Sequence, residues 1–305
     1  MSKFGLTNTI ERNFIFHLTS KLLDAGLFDT VNVSELNFGS GDLSLLIPVN
    51  DEGIKLTTGT TEFWQSPIRN WVYESGVTVP SGFATPIVAS GITVNSVFKE
   101  RSDVTFGHII DYDNGRIIFD TAQAIAGNTM QAEFSFKIVR IKTPEPRDEI
   151  FLGRTFTLNP EIEKTTETMP GLAQELPLIL VEWVSQSFAG LQLGGGRIVS
   201  SRILLHVLAE ENDSYKKNEI VDVLAELDGS VMTMVDWNKA LDPIDFNGDF
   251  APGAEPFSFK ILQADNSVFF HKLYIDSIEP INISSNLKLS QAMLDLNTTV
   301  NIRAF

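Results

Sequence analysis

Residues Arg202 to Leu227 read RILLHVLAEENDSYKKNEIVDVLAEL: an apolar run, an acidic polar turn, then a short amphipathic segment. Ile203 to Leu208 is apolar almost throughout, which predicts a strand covered on both faces. Ile220, Val223, Leu224 and Leu227 recur at i, i+3, i+4 and i+7, so a helix from about Ser214 to Leu227 presents one apolar stripe. Such a stripe needs a sheet to cover it. Asn212, Asp213 and Ser214 offer N-cap oxygens, and Gly229 suits a left-handed stop. The segment carries strand and helix side by side and no catalytic chemistry.

A second helix opens the chain. Asn8-Thr9-Ile10-Glu11 fits a capping box, Ile10, Phe14, Ile15, Leu18, Leu22 and Ala25 form one face, and Gly26 ends it. His17 falls off that stripe. Between about Thr57 and Thr143 the pattern changes to strands. Trp64, Trp71 and Tyr73 surround a turn at Pro67, Ile92 to Asn95 alternates, and Phe134, Phe136 and Ile138 share a face. Ile109 to Phe119 carries Asn114-Gly115 between β-prone arms, the pattern of a type I′ hairpin. An antiparallel sandwich or barrel of six to eight strands is expected here. Thr143-Pro144-Glu145-Pro146 reads as its boundary. Further strands are expected over Leu176 to Phe188, Ile198 to Leu208, Val231 to Asp236, Phe257 to Leu262, Val268 to Ile275 and Asn297 to Ala304. Gly194-Gly195-Gly196 would turn the first of these into the second.

The expected fold is therefore α+β and β-dominated: a helix-flanked sheet with an inserted or adjacent antiparallel β-sandwich domain. Residues 1–50 would supply the N-terminal helix and first strands, packing on the C-terminal domain. Residues 51–145 would form the sandwich. Residues 146–305 would form the α+β domain, with a polar, threonine-rich arm at 157–175 and an acidic loop at 242–256.

The 305 residues carry a net charge of −16, and Lys and Arg are scattered, with no run longer than Lys216-Lys217. That balance argues against specific nucleic-acid binding, although the lining of a DNA channel stays open. No stretch has the apolar length of a membrane span. With no cysteine, disulfides, thiolate metal sites and a cysteine nucleophile are excluded.

No residues stand out as a catalytic, cofactor or metal site. His17, His108, His206 and His271 lack partners at metal-ligand spacing, and His206 sits among packing residues. Gly194-Gly195-Gly196-Arg197 lacks the Lys-Ser/Thr of a phosphate loop and precedes a strand. Asp242-Pro243-Ile244-Asp245-Phe246-Asn247-Gly248-Asp249 gathers oxygen ligands, but its spacing departs from that of an EF-hand. Asp111/Asp113 and Glu210/Glu211 fall at turns, where solvation accounts for them. Trp64 and Trp71 suit either a sugar-stacking platform or a core, and the core is the simpler reading.

Two stretches carry a resemblance. Phe63-Trp64-Gln65-Ser66-Pro67 with Ile109 to Asp120 resembles β-rich virion proteins of tailed bacteriophages. The strand and helix of Arg202 to Leu227, with the N-terminal helix, are similar to tail-terminator and neck proteins of such phages, although compact terminators lack the β segment. The resemblance covers about half the chain and rests on patterns. It implies a non-enzymatic subunit without cofactors, assembled in the host cytoplasm into a hexameric or dodecameric ring at the head–tail junction of the virion. Connector, tail-tube or sheath proteins would be its neighbours. The alternatives are capsid decoration, a baseplate or host-recognition protein using the sandwich, and a hydrolase with two carboxylates across a cleft.

Overall fold

The computed structural model describes residues 3–33, 43–144, 176–191, 196–210, 213–281 and 289–302. They are β-dominated with a few helices, an α+β arrangement of several sheets. The chain divides into two compact units: Met1–Ala25 with Val139–Lys239 and Lys260–Phe305, and Gly26–Ile138 with Ala240–Phe259. The arm expected at 157–175, Glu211, Asn212 and most of the Gly194-Gly195-Gly196 turn lie outside the described residues.

Among the described residues the first unit holds one six-stranded sheet, two long helices and most of a third, short one. Its strands run in the order β10 (Arg140–Lys142), β11 (Leu178–Leu191), β12 (Gly196–Glu210), β15 (Leu289–Ile302), β14 (Phe269–Ile281) and β13 (Val231–Val235). Every pairing is antiparallel except β10 with β11, which is parallel. Helix α1 (Lys3–Asp24) touches β10 and β13, and α2 (Ser214–Ala225) touches β12, β15 and α1. The Phe14 ring meets Trp183 edge-on at 6.5 Å, so the helices lie over the face that carries Trp183 and its cross-strand partner Ile203.

Alternation explains this face. Ile203, Leu205 and Val207 of β12 stand opposite Leu296, Leu294 and Ala292 of β15, and Ile179 and Val181 of β11 stand opposite Val207 and Leu205. Ile10, Phe14, Leu18, Leu22, Ile220 and Leu224 close over them from the helices, all buried. Each such side chain contributes about 1.5–3 kcal/mol by leaving water. The β11–β12 end is buried on its second face too, through Leu178, Leu180 and Leu208, in keeping with the unbroken apolar run from Ile203.

One polar group joins the helix to the edge of the sheet. Asn13 is fully buried; its Nδ2 donates to the Val235 carbonyl at 2.9 Å, and the Val235 N–H donates to its Oδ1 at 2.7 Å. The amide thus pairs with β13 as another strand would. Nδ2 also donates to Thr9 O at 2.8 Å within the helix. Asp24 and Lys260 add an ion pair at 2.5 Å.

Among the described residues the strands of the second unit pair antiparallel throughout, with one isolated parallel bridge from Glu74 to Phe257. Nine strands are described: β1 (Phe28–Val31) pairs β9 (Phe134–Lys137), β2 (Ile47–Val49), β3 (Thr60–Gln65), β7 (Arg116–Ala124) and β6 (His108–Asp111) form a four-stranded sheet in that order, and β5 (Val97–Glu100), β4 (Gly91–Val94) and β8 (Met130–Gln131) form a three-stranded one. Trp64, Trp71, Tyr112, Ile117, Phe119 and Phe134 centre its core, with Trp71 stacked on Phe134 at 4.0 Å.

Several local expectations are corrected. Asn8 to Glu11 is no capping box, because α1 already begins at Lys3. Asp213 is the N-cap of α2 but makes no side-chain cap bond; its carboxylate pairs with Lys216 at 3.2 Å instead. Phe257 to Leu262 is not a strand: Phe259–Ala264 forms the short helix α3, its Phe259 buried and Ile261 exposed at helical spacing. The hairpin at Asn114-Gly115 forms, yet only Gly115 has positive φ and the loop spans four residues, from Asp111 to its partner Arg116. Asp111 opens it, its carboxylate accepting from the Asn114 backbone (3.1 Å) and side chain (2.7 Å). The two-residue turn with both φ positive is Asn95-Ser96, between β4 and β5. The units also part at Ile138/Val139 rather than at 143–146, because β10 already pairs with β11. Residues 27–33 and 43–50 and the acidic loop, assigned above to the N- and C-terminal segments, belong to the second unit.

His17, off the apolar stripe, is nonetheless buried. Burial, followed by nearby Lys21, lowers its pKa from 6.5 to about 4. Two predictions follow from the helix–sheet layer. Asn13→Ala, which orphans both polar groups of Val235, should cost about 2–4 kcal/mol in urea unfolding. The folded state needs His17 neutral, so its contribution is full above pH 6.5 and is lost as pH falls towards 4. Between those values it amounts to at most about 3 kcal/mol. Thermal unfolding of His17→Gln against the parent should show that part of the pH dependence removed.

Candidate functional site

The acidic loop 242–256 is the one sequence-chosen feature around which side chains converge, and it is held by a cation from its own unit. Arg101, just past β5, donates from Nη1 to Asp249 Oδ1 at 2.8 Å and from Nη2 to Tyr112 Oη at 2.5 Å. The Tyr112 hydroxyl in turn donates to Ala89 O at 2.7 Å. The guanidinium also lies 5.6 Å from the Phe250 ring centre and 3.8 Å from Glu255. Side-chain exposure is 21% for Arg101 and 10% for Asp249, so water screens the pair poorly.

The backbone completes the clamp. Tyr112 N–H donates to Gly248 O at 3.0 Å, and both the N–H and the hydroxyl of Ser75 donate to Phe257 O at 2.7 Å. Gly248 has φ +83°, and a Cβ there would collide with the Asp111 carboxylate. Glycine is thus required twice, for conformation and for space. Within the loop, Asp245 Oδ1 accepts from the N–H of Asn247 (2.8 Å) and of Asp249 (3.2 Å), while Ile244 bridges to Phe250. Asp245 and Asp249, two of the residues that suggested an ion site, turn carboxylate oxygens to backbone donors and to Arg101. Among the described residues no three His, Asp or Glu side chains converge as metal ligands.

Burial sets the titration of this region. Asp111 is buried rather than solvated at its turn, and burial raises its pKa against the lowering effect of Asn114. Burial also raises Tyr112, keeping its hydroxyl protonated as a donor. His108 is buried with Nδ1 2.7 Å from Phe106 O, and its pKa is lowered, first by burial.

The remaining candidates scatter. Trp64 and Trp71 are core residues, Trp71 Nε1 donating to Ile68 O at 3.0 Å, so neither presents a face to a sugar. His206 lies 3.0 Å from Glu182 Oε2 on the sheet face away from the helices, and His271 stands against the Phe270 ring at 4.4 Å. A groove of about 430 Å³ along α1 is lined by Asn8, Glu11, Arg12, Ile15 and Phe16, with Arg12 4.0 Å above the Trp237 ring. Among the described lining residues Glu11 is the carboxylate, and burial raises its pKa. Arg101 itself, absent from the sequence reading, is 148 residues from Asp249, and nothing local marks it.

No protein-family model matches this chain, and no curated protein sequence matches it either.

Arg101→Met should leave Asp249 buried without its counter-charge and cost about 3 kcal/mol. Hydrogen exchange should then quicken over 242–256, while Arg101→Met with Asp249→Leu should regain most of the loss. Unchanged exchange in the single variant would show that the ion pair does not hold the loop.

Proposed function

We propose that this chain is a structural subunit of a tailed-phage virion, a neck, connector or tail-terminator protein that closes into a ring through the sheet of its first unit. The supporting observation is the exposed outer half of β11, beyond the stretch Leu178 to Leu180 that β10 pairs with. Past the irregularity between Trp183 and Ser185, every residue from Val184 to Gly190 except Gln186 is exposed, Val184 and Phe188 among them.

Exposed apolar side chains on a sheet favour burial against another chain. A head-to-tail contact at such a surface closes into a ring when the rotation between subunits permits it. The helix layer supports the same reading, since α1 and α2 pack on the sheet and the outer half of β11 stays exposed. Charge is uneven: the second unit holds 17 acidic against 6 basic residues, a net of −11, and the first carries the other −5. A sheet-bearing unit with the smaller charge is the one better suited to self-association, because like charges oppose it less. Decoration or host recognition through the second unit is the competing reading, and the burial of Trp64 and Trp71 removes its sugar-stacking platform.

Light scattering across a concentration series should give a discrete hexamer or dodecamer. Val184→Lys with Phe188→Lys, both exposed, should return that species to protomers with the unfolding temperature unchanged. A protomer at all concentrations, alone and with the virion proteins made beside it, would overturn the ring.

A further inference from the structure

The clamped loop ends in a residue with no structural reason to be there. Phe246 is 96% exposed, at the apex of the turn that Asp245 closes through Asn247 and Asp249. A singly exposed apolar residue is ordinary by itself; what sets Phe246 apart is the fixed turn that carries it. Phe83 is of the ordinary kind, 61% exposed with its ring edge over Gly26. Phe246 instead stands clear of the chain. Everything beneath it is fixed: the Arg101–Asp249 pair, the Tyr112 to Gly248 hydrogen bond, and a glycine for which no other residue fits. A rigidly held aromatic loses little conformational entropy on burial in a partner, the property that makes aromatic anchors dominate interfaces.

Charge limits what that partner is. Residues 240–259 contain Asp242, Asp245, Asp249 and Glu255 and no Lys or Arg, and the whole unit carries −11. Arg101 neutralises Asp249, while Asp242 and Glu255 are exposed near the apex in sequence. Nucleic acid and anionic lipid are repelled by such a surface, and so is the same surface of a second copy.

We infer that Phe246 is the anchor of a docking loop for a different protein, one that offers an apolar socket rimmed by Lys and Arg. The acidic flanks speed encounter and select the partner, and the ring supplies the buried contact that slows release. This surface lies in the second unit and is independent of ring closure through β11.

The probe is a photo-reactive benzoylphenylalanine placed at position 246 of the full chain, with the same group at the exposed Phe83 as control, irradiated in the cells that make the protein. The expected product is one adduct specific to position 246, its cross-linked peptide lying in an apolar site flanked by Lys or Arg. With that purified protein, Phe246→Ser should weaken binding at least tenfold, and raising salt from about 50 to 300 mM should weaken it severalfold. Phe246→Ser should keep the unfolding temperature and the oligomeric state, so failure here and failure of the ring are told apart. No adduct, an adduct with a second copy, with nucleic acid or with lipid, or equal binding by Phe246→Ser would each overturn the inference.

Discussion

The amide of Asn13 is the interaction on which the first unit depends. A sheet built from the C-terminal half of a chain has an edge strand, and β13 would leave Val235 with unpaired polar groups where α1 covers it. Asn13 answers both groups at once from 222 residues away in sequence. Leu or Ala in its place would pack, but it would leave a donor and an acceptor buried without partners, which costs more than the apolar contact returns. The helix is therefore located as well as buried: Phe14 against Trp183 sets which face it covers, and Asn13 sets where along the edge it sits.

The second unit meets the same difficulty with a charge. An acidic segment far along the chain returns to lie on β6 and the strands beside it, and it needs a cation that is already desolvated and aimed. Arg101 is held by the Tyr112 hydroxyl, which is itself committed to Ala89 O, so the guanidinium has few alternatives to Asp249. Geometry of this kind is what makes a partly buried ion pair specifying. The two units thus differ: one carries a long strand with exposed apolar side chains and the smaller charge, the other an acidic loop with an aromatic tip.

Where local reading failed, a distant contact decided. Phe257 to Leu262 has β-prone residues, yet it turns as a helix that buries Phe259 and sends Gln263 Nε2 to Thr233 O at 2.7 Å. Asn114-Gly115 has the composition of a two-residue turn, but Tyr112 is drawn into the core and bonded to Gly248, which lengthens the loop. Asn95-Ser96 makes the tight turn without a glycine, and composition alone understates it. Asn8 to Glu11 has capping chemistry that the helix, running from Lys3, passes over.

What the sequence by itself determined is the alternation and the helical stripes, because burial demands a period of two or of 3.6 wherever one face meets a core. From those came the β-dominated α+β composition, the strand Leu176 to Phe188 with Ile198 to Leu208 as its partner, the helix after it and the helix at the N-terminus. The absence of thiol chemistry was equally legible, since composition alone excludes it. Only the tertiary structure decided that residues 240–259 leave their sequence neighbours for the second unit, that Arg101 is their counter-ion, that Asn13 completes an edge strand, and that Phe246 is left in water. Each of those rests on a hydrogen bond, a charge or an exposure between residues far apart in the chain, and no local periodicity encodes such a meeting.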